Sequence, residues 1–329
     1  MERKLASIQK ILDLQPIAGA DKIEVATVLG WQLVVKKNEF KVGELAIYCE
    51  VDSILPDRPE FAFLQARKFR IKTIRLRGQI SQGICFPLSI LPEHTLEIVE
   101  DLDVTELLGV TKHEIAIPVQ LRGQVKGTFP GFLVKTDELR IQSRPSLLDE
   151  IRDVPCYLAW KIDGTSATFA RFNGEIEICS RNMSLKETEE NVYWKMFHKY
   201  NLGETLPEGF AVQGEVAGPG IQKNPLGLEE IQLFVFNVFD INRHGYLSLS
   251  DTKEFCAKLN LPMVPIQEEN VTLNVTLAEI LDMAKGTYPL SRKPREGLVI
   301  RPMQERYSLA LGGRLSFKVI NNDFLLQEE

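Results

Sequence analysis

Cysteine is scarce in this chain of 329 residues and never falls in paired spacing: Cys49, Cys85, Cys156, Cys179 and Cys256 are scattered. That argues against a zinc site and suits a reducing compartment. Histidine is scarcer, and His94, His113, His198 and His244 are so dispersed that each reads as a surface or hydrogen-bonded residue rather than a catalyst or metal ligand. No apolar run approaches bilayer-spanning length, and the opening Met1-Glu2-Arg3-Lys4 lacks the apolar core of a signal peptide. The chain is therefore expected to stay inside the cell with no membrane partner. A P-loop, a glycine-rich dinucleotide fingerprint, a His-Glu-x-x-His helix and a Gly-x-Ser-x-Gly elbow are also missing, which sets aside the reactions those motifs serve.

What is present is an ordinary globular composition, 44% hydrophobic and 26% charged, in a chain long enough for two domains with separate cores. A net charge of -6 speaks against nucleic acid as a partner of the whole surface. One short segment runs the other way, with Arg67, Lys68, Arg70, Lys72, Arg75 and Arg77 crowded together. Alternation of Ile74 and Leu76 with Arg75 and Arg77 predicts a strand with both arginines on one exposed face, either simply solvated or facing phosphate. The glycines of Gly78-Gln79-Ile80-Ser81-Gln82-Gly83 would let a backbone approach such a ligand.

The N-terminal third reads as short strands between glycine turns, Lys22 to Val28, Trp31 to Lys36 and Leu45 to Glu50, a pattern that suits a small barrel; Leu5 to Leu12 has helical spacing as well as strand character, and a first strand is the favoured reading. Asp103 to Leu108 reads as a short helix stopped by Gly109, closing a domain of residues 1–112. A linker of residues 113–130 and a second domain of residues 131–329 follow. In that second part, Val192, Met196 and Tyr200 mark a helix face, and Thr276 with Glu279 forms a capping box on a helix that Gly286 would stop.

The stretch Tyr157-Leu158-Ala159-Trp160-Lys161-Ile162-Asp163-Gly164-Thr165-Ser166 reads as two strands joined at an Asp-Gly turn, with Lys161 at a strand end. Downstream stand, in order, Ser180-Arg181-Asn182, Gly214-Glu215, Phe234 to Asp240, Arg295-Glu296-Gly297 and Ser316-Phe317-Lys318. This ordered set resembles the covalent nucleotidyltransferases, and most closely the ATP-dependent RNA ligases that carry an OB module at the N-terminus. The resemblance implies an α+β fold: an OB-like β-barrel, then a nucleotidyltransferase domain of two antiparallel sheets with flanking helices and the nucleotide between them. It implies that Lys161 attacks ATP to form a lysyl-AMP, with Asp163, Glu215 and Glu296 around a Mg2+ or Mn2+ ion and Lys318 on the α-phosphate. Phe236 would stack on adenine, Arg140 would lie at the pocket mouth, and Arg181 and Asn182 would bind the ribose and end phosphates. Arg75, Arg77 and Arg181 would contact the phosphates of the partner, RNA ends or a nicked duplex with a 3'-OH RNA strand.

Many relatives carry a second lysine two residues before the last one, and here that position is Ser316, with Arg314 a candidate substitute. Blander readings stand beside these: a surface carboxylate for Glu215, an ion pair with Arg292 or Arg295 for Glu296, a core aromatic for Phe236. A DNA ligase, a capping guanylyltransferase and a single-strand-binding OB protein are the rival activities. Whichever polymer is joined, a free lysine with a pKa of about 10.4 is neutral about once in 2,500 molecules at pH 7, a handicap of about 4.6 kcal/mol. A nucleophilic Lys161 therefore needs neighbouring cations that lower its pKa.

Overall fold

The computed structural model describes residues 3–92, 97–113 and 123–327. His94 and residues 114–122 of the expected linker lie outside them. The chain divides into two compact units, one of residues 1–115 with 141–145 and 328–329, the other of residues 116–140 and 146–327. No helix among the described residues is long and apolar enough to cross a membrane.

The first unit is built on a five-stranded antiparallel sheet in the order Trp31–Lys36, Ile23–Val28, Ala6–Pro16, Leu45–Cys49 and Ile84–Phe86. Its long first strand serves two neighbours. The Ala6 to Lys10 half pairs with Leu45–Cys49, a register shift falls between Ile11 and Asp13, and the remainder pairs with Ile23–Val28. Such an irregularity bends a strand, and the bend curls this sheet. The sheet nearly closes, since Val34 N–H donates to Ser81 Oγ at 3.0 Å and Gln82 N–H to the Gln32 carbonyl at 2.8 Å. Inside lie Ile8, Ile11, Trp31, Leu33, Ile47 and Tyr48, all fully buried. The expected helix is reduced to Thr105–Leu108, ended as read by Gly109 in a left-handed conformation. Residues 141–145 also pack here: Ile141 and Gln142 are buried, and Ser143 donates to Glu50 at 2.7 Å.

The second unit has two sheets. A seven-stranded antiparallel sheet runs Val125–Thr128, Met183–Leu185, Glu175–Cys179, Thr165–Phe172, Phe210–Ala217, Gln232–Asp240 and Gly245–Tyr246. Its first strand comes from the stretch read as linker; Gly127 and the alternating exposure of an edge strand hid it among polar residues. The five-stranded sheet runs Leu139–Arg140, Phe317–Ile320, Gly297–Pro302, Pro155–Lys161 and Ile266–Thr272, antiparallel except for its first, parallel pair. One core lies between the seven-stranded sheet and the helices Val192–Lys199 and Leu249–Lys258, centred on Phe169, Val212, Met196, Phe197 and Cys256. Another joins Tyr157, Ala159 and Tyr288 to Ala217, with Phe234 and Phe236 packed against it. All five cysteines are buried and unpaired.

The capping box of Thr276 and Glu279 forms on the helix Leu277–Met283, but the helix ends at Ala284 rather than Gly286. Gly286, at φ +145°, makes room for the Arg295 guanidinium, which a Cβ would crowd at 2.9 Å.

Candidate active site

Lys161 ends the strand Pro155–Lys161, and Thr165 opens a strand of the other sheet. Asp163-Gly164 is therefore a crossing from one sheet to the other, not the hairpin turn that the sequence suggests. Two apolar runs around Asp-Gly look the same in both cases; here backbone proximity decides, because Gly164 presses onto the Val216 carbonyl. Glycines follow Asp163 and Glu296 and precede Glu215, and a Cβ on Gly164, Gly214 or Gly297 would collide with the carbonyl oxygen of Val216, Phe234 or Val319. The motif glycines let neighbouring strands close on the site.

Register collects the cations. Lys161 stands opposite Gly297 and Ala159 opposite Val299, which in turn pairs with Lys318, and Lys318 pairs with Arg140. Directly opposed residues share a face and alternate residues return to it, so Lys161, Lys318 and Arg140 project from one face of the five-stranded sheet. Glu215 lies on the other sheet between Ser166 and Phe234.

Lys161 Nζ forms an ion pair with Glu296 at 2.8 Å, with the lysine side chain 24% exposed and the glutamate 14%. Glu296 thus pairs with the lysine, not with Arg292 or Arg295. Burial works against the ammonium, but Glu296, Glu215 and Asp163 outweigh it and hold the Lys161 pKa above its ordinary value. The lowering that nucleophilic attack requires is thus absent from these residues by themselves. Burial pushes Glu215 up to about 8, with Lys161 pulling it down and Glu296 and Asp163 adding to the rise. Glu215 is half-buried, not the surface carboxylate of the blander reading.

Among the described residues no group of three or more His, Cys, Asp or Glu side chains closes into a direct metal cage. Asp163, Glu215 and Glu296 do not form one, although all three act electrostatically on the Lys161 ammonium. The residues nevertheless fit a hard divalent cation. Three carboxylates face one ammonium, and the second oxygen of Glu296, Oε2, is buried without a hydrogen-bond partner. Mg2+ keeps much of its water, so a set of this kind can hold it through that water as well as directly.

Several contacts around the site lie outside the sequence reading. Arg295 is buried, stacks over Trp160 at 5.7 Å, and caps the preceding helix by donating to the carbonyls of Met283, Ala284 and Lys285. Arg301 is 2% exposed. It donates to Ser316 Oγ at 2.9 Å, the Phe236 carbonyl at 3.2 Å and Glu138 at 2.8 Å, and Ser316 donates to the same Glu138 oxygen at 2.8 Å. Ser316 is thus enclosed by a buried ion pair. Arg314 is engaged too, stacked 4.0 Å over Tyr246 and bonded to Glu305 at 2.7 Å and Asn237 at 2.8 Å. A charge inside the buried run Gly297-Leu298-Val299-Ile300-Arg301 was the available signal for Arg301.

Phe236 occupies a bulge: Val235 pairs with Gly214 and Asn237 with Gln213, leaving Phe236 without an opposing residue. Bulges re-aim side chains, and half-buried Phe236 packs against the cluster between the sheets. Arg181 and Asn182 lie at an exposed hairpin tip, where Arg181 pairs with Asp137. Arg75 and Arg77 are exposed on the first unit, but only Arg75 is on a strand. Arg77, at φ +51°, begins the turn of the hairpin Ile74–Leu76 to Gln79–Ser81, so the two-residue alternation ends before it. At Gly83 a Cβ would collide with the Tyr48 ring, while at Gly78 it would face open space. His198 pairs with Glu187 at the surface and His244 packs edge-on against Phe239.

A sequence comparison with curated proteins finds no match. A family model described as an OB-fold domain matches residues 5–88, and one described as RNA ligase matches residues 155–320. Among solved structures, Naegleria gruberi RNA ligase with PPi is 35% identical, at a TM-score of 0.88 with 98% of each chain covered. A lysine-to-alanine variant of that enzyme with ATP and Mn is 34% identical, at a TM-score of 0.87 with 99% of each chain covered. A lysine-to-methionine variant with AMP and Mn is 35% identical, at a TM-score of 0.89 with 99% of each chain covered. With an N-terminal OB-fold domain and this match over its whole length, the chain belongs to the RNA ligase family of the nucleotidyltransferase superfamily.

Proposed function

We propose that the protein is an ATP-dependent RNA ligase that joins 3'-OH and 5'-phosphate ends, in RNA repair or the sealing of nicked duplexes, through an AMP adduct on Lys161. The observation that carries this reading is the Lys161–Glu296 ion pair of 2.8 Å within a cluster of carboxylates, on a sheet face that also presents Lys318 and Arg140. The similar Naegleria gruberi structures that hold ATP or AMP with Mn support ATP as the substrate and Mn2+ or Mg2+ as the cation. A dependence on ATP supports a location inside the cell.

Lys161 gives up a proton, its amine attacks the α-phosphorus of ATP, and a P–N bond replaces the P–O bond to the departing pyrophosphate. A 5'-phosphate oxygen then attacks that phosphorus, the P–N bond breaks, and AMP passes to the strand end as a 5'-5' pyrophosphate. The 3'-OH finally attacks the 5'-phosphorus, loses its proton, and releases AMP. Lys318 and Arg140 stabilise charge that develops on the α-phosphate. Phe236 stacks on adenine, Arg181 and Asn182 bind the ribose and end phosphates, and Arg75 and Arg77 contact strand phosphates. Asp163, Glu215 and Glu296 would hold the divalent cation, which when bound favours the neutral lysine and offsets phosphate charge.

The test is incubation with labelled ATP or GTP, followed by mass spectrometry and by assays on RNA and DNA 3'-OH ends. Label from ATP on Lys161 with sealing of RNA ends is the expected result. Label from GTP points to capping, sealing confined to DNA ends points to a DNA ligase, and no label points to a strand-binding protein.

A further inference from the structure

Tyr288 belongs to no strand or helix, yet its side chain is 1% exposed. Its ring packs edge-on against Trp160, the neighbour of the nucleophile, at 6.2 Å, and the Arg295 guanidinium lies over the other partner of that contact, the Trp160 ring. The loop that carries Tyr288 is fixed by its own backbone: Tyr288 N–H donates to the Lys293 carbonyl at 2.9 Å, and Arg292 N–H donates back at 3.0 Å. The hydroxyl has two partners. It donates to the Lys161 carbonyl at 3.4 Å and accepts from the Glu296 N–H at 3.3 Å. Burial pushes the phenol well above its ordinary range, so it remains a protonated donor.

Those two backbone groups belong to the residues whose side chains form the 2.8 Å ion pair. The strand bearing Lys161 pairs with its neighbour from Cys156 opposite Pro302 to Lys161 opposite Gly297, where the ladder ends, and Glu296 lies one residue beyond that end. Beyond a ladder's end the backbone is free to fray unless a side chain replaces the missing interstrand bond. Between Lys161 and Glu296 the Tyr288 hydroxyl supplies that link, while on its other side the Glu296 carbonyl accepts from the Asn321 N–H at 2.9 Å.

We infer that Tyr288 is a positioning residue for the lysine steps of ligation, its hydroxyl tying the backbone of Lys161 to that of Glu296 so that nucleophile and carboxylate keep their register. The inference rests on the lysyl-AMP reading above. Lys161 bonds to AMP during adenylylation and releases it in the transfer to the 5'-phosphate, whereas the final attack by the 3'-OH involves no bond to Lys161. Loss of the hydroxyl therefore slows the first steps selectively.

The test uses Tyr288→Phe in the full chain, which removes the hydroxyl and keeps the ring. Two single-turnover rates are measured in one preparation: lysine adenylylation from ATP, and sealing of a pre-adenylylated RNA strand without ATP. Neither rate constant depends on the fraction of folded protein, which sets only the amplitude of each reaction. The expected result is a tenfold or larger fall in adenylylation with sealing within threefold of the wild type. Trp160→Phe, which loosens the ring packing but spares the hydroxyl bridge, is expected to lower the unfolding temperature and leave the ratio unchanged. Equal rates of decline in both assays for Tyr288→Phe, or no decline in either, overturns the inference. Failure of the lysyl-AMP reading itself would show separately, as a wild-type protein that takes up no label on Lys161.

Discussion

Two groups of cations in this protein are built differently. On the first unit Arg75 and Arg77 stand exposed on a hairpin of three-residue strands. On the second, Lys161 and Arg301 are fixed by named carboxylates, Glu296 at 2.8 Å and Glu138 at 2.8 Å. The difference matches the roles proposed for the two groups. Attraction of a polyanion needs charge and tolerates loose geometry, whereas displacement at phosphorus needs an amine held to within a fraction of an ångström. Fixed cations therefore require buried or half-buried partners, and they put stability and activity at risk together.

The largest effect is expected at the fixed nucleophile. Lys161→Ala should abolish adenylylation and sealing from ATP, and mass spectrometry of the wild type should place AMP on Lys161; an adduct elsewhere, or sealing by the variant, would break the comparison at its strongest point. Next come the carboxylates. Glu215→Ala and Glu296→Ala should each slow adenylylation about a hundredfold or more, the several kcal/mol that organised charge at a metal site supplies, with a chelator abolishing the wild-type rate. A near wild-type rate in either variant would return that carboxylate to a structural role.

The Arg301–Glu138 pair tests stability instead of chemistry. Arg301→Met leaves Glu138 without its partner, and removal of one member of a buried pair costs about 3 to 5 kcal/mol, discounted here because the Glu138 side chain is 16% exposed. A loss of about 2 kcal/mol in urea denaturation is the expected outcome. Ser316→Lys would supply the second lysine that the motif resemblance leads one to expect, but it places an ammonium against a guanidinium whose carboxylate is already shared. It should destabilise the wild type and be better tolerated together with Arg301→Met, where it can pair with Glu138; equal cost in both backgrounds would show that the two positions do not share one charge.

How much of this was legible in the sequence follows from what sequence patterns encode. Alternation located the main strands, and the order of the motifs carried the resemblance through which Lys161, Glu215, Glu296 and Lys318 are proposed for the site. The sheet change at Asp163-Gly164 was invisible, since local sequence does not say which strand a neighbour joins. Tyr288, Glu138 and Arg301 were missed because they act through partners such as Lys161 and Ser316, far away along the chain. Arg77 was placed on a strand because alternation cannot show that a left-handed turn begins one residue early.

The smallest effect is expected from the exposed pair. A deletion of the whole first domain is a poor probe of it, since residues 141–145 pack with that unit and Ile141 and Gln142 would lose their cover. Point variants avoid this. Arg75→Ala and Arg77→Ala should leave the unfolding temperature unchanged, because neither side chain is buried, and should leave lysine adenylylation from ATP within twofold if their contacts are with the strand. RNA affinity should fall a few-fold for each, and more at low salt than at high. Each phosphate contact contributes about 0.7 to the slope of log affinity against log salt for a single strand and about 0.9 for a duplex. A drop of that size per arginine would assign both residues to strand phosphates. An unchanged slope with slower adenylylation would assign them to the nucleotide, and unchanged values throughout would leave them as solvated surface, because an exposed cation without a phosphate releases no counterions.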